Sequence, residues 1–254
     1  MNINLKMGFI VQARTGSARF PDKVIRKFYE EESILEIIVK KLKTIKDIPI
    51  IIATTTGSCD DIIVGTAINQ EVEYFRGSED NVLERFIEAA GKFNIDHIIR
   101  ICSDNVFIDL NGIEEIILKY RDNPVDYLSY ILSDSRPSIK THFGFWAEMI
   151  SLKALMKIAR MTGEKIYLEH VTNYIYEHPG EFKILFIEAP EVVYQRYDIR
   201  LTIDTEEDFN LQQSIYKTLI SRGNMPDIKE IVDYLDNNKP ILEEMIHQIH
   251  LNRK

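Results

Sequence analysis

The chain of 254 residues is poor in cysteine, tryptophan, glycine and proline, with two, one, eleven and eight of them. Cys59 and Cys102 form no CxxC pair, which excludes a disulfide framework and a cysteine-based structural zinc site. Each lies among apolar or small residues, so both are expected to be buried, reduced thiols. The six histidines, His97, His142, His170, His178, His247 and His250, show no metal-ligand spacing. No apolar run approaches the roughly 20 residues that cross a bilayer. Met1 to Lys6 lacks the charged-then-apolar pattern of a signal peptide. A cytoplasmic protein with no membrane partner is therefore expected. Positive charge is also short: 31 Lys and Arg stand against 40 Asp and Glu, a net −9. That balance argues against a general nucleic-acid binder. An acidic chain that takes a polyanion must gather its cations locally or recruit a metal.

What is present is a globular composition, 45% hydrophobic and 28% charged, enough for a substantial core. Buried-strand patterns at 7–13, 48–53, 72–75 and 97–102 alternate with helical stripes at 34–45, 61–68, 82–93 and 113–120. Apolar strands separated by amphipathic helices imply a mostly parallel sheet covered on both faces, an α/β class. Further on, strands are expected at 127–132, 139–147, 182–188 and 199–203. Helices are expected at 152–160, 167–176, 206–221, 227–235 and 241–250. The economical organisation is one domain over 1–254 with a smaller lobe inserted at about 127–190.

Ligands of such sheets bind beyond the carboxyl ends of the strands. The residues there are the chemically loaded ones: the loop from Arg14, the run Arg76-Gly77-Ser78-Glu79-Asp80, and Ser103-Asp104-Asn105. The loop Gln12-Ala13-Arg14-Thr15-Gly16-Ser17-Ala18-Arg19-Phe20-Pro21-Asp22-Lys23 gathers three cations around a Gly-Ser pair. Gly16 would let successive backbone N–H groups form an anion nest. Arg14 and Arg19 offer forked donors to phosphate, and Lys23 a point charge. Neither GxxxxGK[ST] nor GxGxxG is present. A solvated basic turn is the bland alternative. Ser78 to Asn81 equally suit a helix cap, and Asp204 could cap the helix that starts near Glu206.

The run Gln12 to Lys23 resembles the signature of the cytidylyltransferase superfamily that activates acidic sugars, the ketodeoxyoctulosonate and acylneuraminate enzymes among them. Within it, the chain is most similar to the spore-coat polysaccharide biosynthesis protein F group. Ala53-Thr54-Thr55 with Asp60-Asp61, Gly77 to Phe86, Glu169-His170-Val171-Thr172 and Arg200 to Phe209 follow in the family's order, so the likeness spans about 7–235. It implies a three-layer α/β/α sheet of the nucleotide-diphospho-sugar transferase type, glycosyltransferase A-like. It implies a nucleoside triphosphate, CTP, held by Arg14 and Lys23, with Ala13, Gly16, Ser17 and Arg19 lining the loop. Gly77, Ser78 and Asp80 would meet the base, and Asp104 and Asp204 would hold Mg2+. Arg14, Lys23 and Asp104 would carry the transfer of CMP to an acidic sugar-like acceptor, with release of pyrophosphate, in surface polysaccharide or glycan precursor synthesis. A homodimer through the inserted lobe goes with the same resemblance.

Three departures bear on the acceptor. Phe28 to Ser33 stand where relatives carry Gly-Lys-Pro. Ser103-Asp104-Asn105-Val106 stand for Gly-Asp-Cys-Pro, and Gly144 to Glu148 include the lone Trp146. Trp146 could stack on an acceptor or pack the core, and His170 could do either. A glycosyltransferase using a finished nucleotide sugar is the rival enzyme class, but no Asp-x-Asp metal motif occurs. A non-catalytic nucleotide-binding relative is the third reading.

Overall fold

The computed structural model describes residues 5–221, 223 and 225–252. The first half lays down β1 (Met7–Gln12), a hairpin of β2 (Lys27–Tyr29) and β3 (Glu32–Ser33), α1 (Ile34–Leu42), β4 (Ile50–Thr55), α2 (Asp61–Asn69), β5 (Glu73–Gly77), α3 (Val82–Lys92), β6 (His97–Cys102) and α4 (Leu110–Asp122). The second half adds β7 (Tyr127–Ile131), β8 (Glu148–Ser151), α5 (Leu152–Met161), α6 (Lys165–Glu169), α7 (Asn173–Glu177), β9 (Ile184–Glu188), α8 (Glu191–Tyr194), α9 (Glu206–Ile220), α10 (Ile228–Asp236) and α11 (Lys239–Leu251). The main sheet has seven strands in the order β5-β4-β1-β6-β8-β7-β9. Only β8 runs against the rest, pairing antiparallel with β6 and β7.

Alternation along the strands builds the layers, because successive side chains leave a strand on opposite faces. Phe9, Val11, Ile52 and Ile99 pack on one face with α1, α4 and α9, whereas Ile10, Ile51, Ile98 and Ile150 pack on the other with α3 and α5. This is the expected three-layer arrangement of the nucleotide-diphospho-sugar transferase type. Residues 127–190 place β7, β8 and β9 in the same sheet, and their Tyr127, Ile150 and Val171 share a core with Ile10 and Phe86. Helix starts are capped as their sequences require. Ser33 with Glu36, Thr205 with Asp208 and Asp227 with Glu230 each form a capping box. Among the described residues no helix is long and apolar enough to cross a membrane.

Several expectations from the sequence are corrected. Residues 139–147 form no strand: a 3-10 turn at Ser138–Lys140 leads into irregular chain, and the strand starts at Glu148. Gly144 breaks the extended run at φ +66°, where a Cβ would meet the Leu201 carbonyl at 2.8 Å. The 199–203 stretch joins no sheet. Its Leu201 N–H donates to His142 O at 2.7 Å and its Ile203 N–H to Asp104 O at 3.1 Å, so it crosses the strand ends. The helix expected at 167–176 is split into α6 and α7, with Thr172 between them donating to Glu148 at 3.1 Å. Neither cysteine is buried: Cys59 is exposed and Cys102 partly so.

Candidate active site

The loop after β1 is tied down by a carboxylate that the sequence offered only within the pair Asp60-Asp61. Asp60 Oδ1 accepts from the Thr15 N–H at 2.8 Å and the Thr15 hydroxyl at 2.7 Å. Its Oδ2 accepts from the hydroxyls of Thr54 (2.9 Å) and Thr55 (2.6 Å) and from the Thr55 N–H (3.1 Å). Burial pushes the Asp60 carboxyl upward, but the donors from Thr55, Thr15 and Thr54 outweigh it and hold the pKa at about 2. Asp60 therefore stays ionised and clamps the loop to the end of β4.

Within that loop Ala13 is buried, Arg14 and Ser17 are half-buried, and Gly16 and Arg19 are exposed. The expected nest at Gly16 is corrected. The Ser17 N–H is spent on the Thr15 carbonyl (2.8 Å), and the Asp22 N–H bonds the same oxygen (2.9 Å). The residue in the left-handed region is Asp22, φ +61°. Arg14 lies 4.0 Å from Glu79 and 3.8 Å from Glu169, so it bridges the β5 loop and α6.

Lys23, the point charge at the end of the loop, is buried at 8% exposed. Its Nζ donates to the Ile203 carbonyl (2.5 Å) and to Asp104 Oδ2 (3.1 Å), and stands 3.9 Å from Asp204 Oδ1. The fold thus brings together three residues 81 and 100 positions apart in pairs, Lys23 with Asp104 and Asp104 with Asp204. Asp204 also takes a donor from Arg19 (2.9 Å) and from Arg200 (3.0 Å). It is not the helix cap of the alternative reading, since Thr205 caps α9. Behind it, Arg200 is 1% exposed and forks onto both oxygens of Asp208 at 2.7 Å. Asp208 also accepts from the N–H groups of Asp204 and Thr205, at 2.9 and 3.0 Å. Burial works against the Arg200 charge, but Asp208 and Asp204 more than offset it and raise its pKa.

Gly77 closes β5, where a Cβ would meet the Phe75 ring at 2.8 Å. Ser78 Oγ accepts from the Asn81 N–H (3.0 Å), and Asn81 caps α3, so the capping role is realised. Asp80 is exposed. Beneath this turn lies Arg85, fully buried, with Nη1 on the Ser78 carbonyl (2.8 Å) and no partner for Nε or Nη2.

From Asp104 and Asp204 a cavity of about 610 Å³ opens toward β6 and the 136–146 segment. Its wall carries Arg19, Arg100, Arg136 and Lys140, with Trp146 and Tyr176 as aromatic surface and His170 at the edge. Trp146 packs the core. It stacks on Tyr130 with centroids 4.8 Å apart, 6% exposed, and still lines the cavity.

The sequence reading missed Asp60, the Arg200–Asp208 fork, Arg85 and Arg100. Arg100 had a visible signal, a charge inside the apolar strand His97-Ile98-Ile99-Arg100-Ile101-Cys102. Asp60 showed only as half of the Asp60-Asp61 pair, because its clamp depends on Thr15 of the β1 loop and Thr54 and Thr55 at the end of β4, which only the fold brings together.

A family model described as cytidylyltransferase matches residues 8–245. The spore coat polysaccharide biosynthesis protein SpsF of Bacillus subtilis is 35% identical over 238 residues, 91% of this chain and 94% of that protein. An uncharacterized protein of Methanocaldococcus jannaschii is 38% identical over 240 residues, 93% of each chain. Among solved structures, a cytidylyltransferase from Leptospira borgpetersenii superposes with a TM-score of 0.81 at 28% identity, covering 94% of this chain and 97% of that one.

Proposed function

This chain belongs to the cytidylyltransferase family and is a CTP-dependent nucleotidyltransferase; from that premise we propose that it transfers CMP from CTP to an acidic sugar or sugar-phosphate acceptor. An acceptor oxygen attacks the α-phosphorus, the bond to the β-phosphate breaks in line, and pyrophosphate leaves. The single observation that carries the reading is the position of Lys23, between Asp104 and Asp204 and beside a cavity whose wall holds four cations.

Arg14, Arg19 and Lys23 bind the phosphates, with Ala13, Gly16 and Ser17 shaping the loop that Asp60 holds rigid. Gly77 and Ser78, braced from below by Arg85, meet the base, and Asp80 stands at the rim. Asp104 and Asp204 would hold Mg2+. The donor set fits this ion: two carboxylates converge within 4.0 Å of one point at Lys23 Nζ, and hard oxygen donors are what magnesium prefers. Among the described residues no third His, Cys, Asp or Glu joins them to form a metal-holding group, so the further oxygens would have to come from the bound nucleotide. When bound, the ion neutralises charge on the phosphates as pyrophosphate departs. Lys23 exchanges its carboxylate partners for phosphate oxygens when the nucleotide arrives, and Arg19 leaves Asp204 for the same reason. Positioning and electrostatics do this work without a protein nucleophile.

The same reading places the enzyme in the cytoplasm, in the supply of activated sugars for a surface polysaccharide or glycan. The edge strand β9, with half-buried Ile184, Leu185, Phe186 and Ile187, is where a homodimer would close. Pyrophosphate release from CTP and magnesium with a panel of sugar acids and sugar phosphates tests the reading. Release that depends on both CTP and an anionic sugar is expected. Consumption of a finished nucleotide sugar without pyrophosphate would instead favour glycosyl transfer, and CTP binding with no release from any acceptor would favour a non-catalytic relative.

A further inference from the structure

The wall of the cavity is chemically unbalanced. Among the described residues eight buried side-chain nitrogen and oxygen atoms have no hydrogen-bond partner, and four of them belong to residues lining this one cavity. They are Arg100 Nε, Arg136 Nε, Trp146 Nε1 and Asn105 Oδ1, three donors against one acceptor. Buried polar groups are nearly always paired, so a surplus of donors in one cavity points to a ligand rich in acceptors.

Arg100 is the most telling of the four. It faces Glu148 across the β6–β8 pairing, and its Nη1 donates to that carboxylate. Glu148, 1% exposed, also accepts from the Tyr127 hydroxyl and from Thr172 Oγ1 at 3.1 Å. Nη2 makes only a long contact to Gln12 Oε1, 3.4 Å, and Nε makes none. Burial disfavours the guanidinium charge, but Cys102 and Glu148 more than offset it, so Arg100 stays cationic. A buried ion pair adds little stability over a well-packed apolar pair. The Arg100–Glu148 pair, inside an otherwise apolar sheet, therefore calls for another role.

We propose that Arg100 is a specificity-determining residue for the acceptor: Nε donates to an anionic oxygen of that molecule, Arg136 contributes a second donor, and Glu148 positions Arg100. The inference rests on the reading that this cavity holds the acceptor of CMP transfer. Carboxylate and phosphate share the required chemistry, and the choice between them belongs to the test. Thr172 and Tyr176 connect the pair to the 170–176 segment, so the same network shapes the opposite wall.

The test uses the whole protein with N-acetylneuraminate, ketodeoxyoctulosonate, glucose 1-phosphate and glucose. Pyrophosphate release and calorimetric binding are both read. Since Arg100→Met alone would leave Glu148 buried and unpaired, the main variant is the double Arg100→Met, Glu148→Leu. It should weaken acceptor affinity or raise acceptor KM about 10- to 100-fold, the loss of one charge-assisted hydrogen bond, with CTP KM little changed. Arg100→Lys should recover part of the loss, and Glu148→Gln should sit between the two. Whichever of the carboxylate and phosphate probes is affected identifies the anion. An unchanged acceptor KM in the double variant overturns the proposal, as does equal use of glucose. If the double variant does not fold, Arg136→Ala, whose side chain is 37% exposed, carries the test. Its acceptor KM should rise several-fold, and no rise overturns the proposal. Anion binding that Arg100 governs, without pyrophosphate release, would sink the transfer to this acceptor and leave standing only the Arg100 anion site. No binding and no release would sink both.

Discussion

The phosphate side of the site and the acceptor side differ in how far their polar groups are already satisfied. Around the loop after β1, Asp60 accepts five hydrogen bonds, Lys23 is held by a carboxylate and a carbonyl, and Arg200 is forked onto Asp208. Along the cavity wall, Arg100, Asn105, Arg136 and Trp146 each keep an unpartnered buried atom. The first region is paired before any ligand arrives, with the Asp60 clamp held in advance and only Lys23 and Arg19 left to exchange partners. The second region keeps donors that the proposed acceptor would pair. The contrast separates substitutions that should damage the fold from those that should damage only acceptor recognition.

The largest effect is expected at Arg200. Arg200→Met leaves Asp208 buried without its cation and Asp204 with one donor fewer, which should cost about 3–5 kcal/mol, read as a fall in Tm. A loss below about 1 kcal/mol would erase the difference between the two regions. Lys23→Met should reduce kcat by about 10²–10³-fold, the usual cost of removing a preorganised charge at a reacting phosphate. Because Lys23 is buried between carboxylates, this variant should also lose stability, in contrast to Arg136→Ala on the opposite wall. Full activity in Lys23→Met would remove the site from this position.

The smallest effect sharpens the comparison through pH. Asp60, held at about 2, binds a proton more weakly folded than unfolded, so its stabilisation is complete above about pH 4 and is lost as pH falls toward 2. Asp60→Asn should flatten that acid limb in a series of melting curves. Lys41 shows the opposite charge type. Burial pulls its pKa down to about 7 against the pull of Asp109, while its Nζ donates to the Val106 carbonyl at 2.6 Å. Unfolding therefore takes up a proton between about pH 7 and 10, and stability should rise with pH across that window. Lys41→Met should abolish the rise. A rise that persists would show that Lys41 is not its source.

Much of this architecture was legible because the rules behind it are local. Apolar strands alternating with striped helices specify a parallel sheet, and the sheet's carboxyl edge then nominates Arg14, Lys23, Gly77 and Asp104 without coordinates. Where the reading failed, the deciding contact was distant. Residues 199–203 have the pattern of a strand, yet their N–H groups pair with the carbonyls of His142 and Asp104. Residues 139–147 lose their extended run to a Gly144 conformation fixed by the close Leu201 carbonyl.

By itself the sequence determined the class of fold and the family, and it nominated the cations and carboxylates proposed to meet the nucleotide. These follow from periodicity and from ordered motifs, which survive without knowledge of any contact. Only the tertiary structure decided that Lys23 lies buried between Asp104 and Asp204, that Asp60 is a clamp, and that Arg100 and Glu148 form one buried pair in the wall of the cavity. Burial, hydrogen-bond pairing and cross-strand register belong to pairs of residues far apart in the chain, and no stretch of sequence states them.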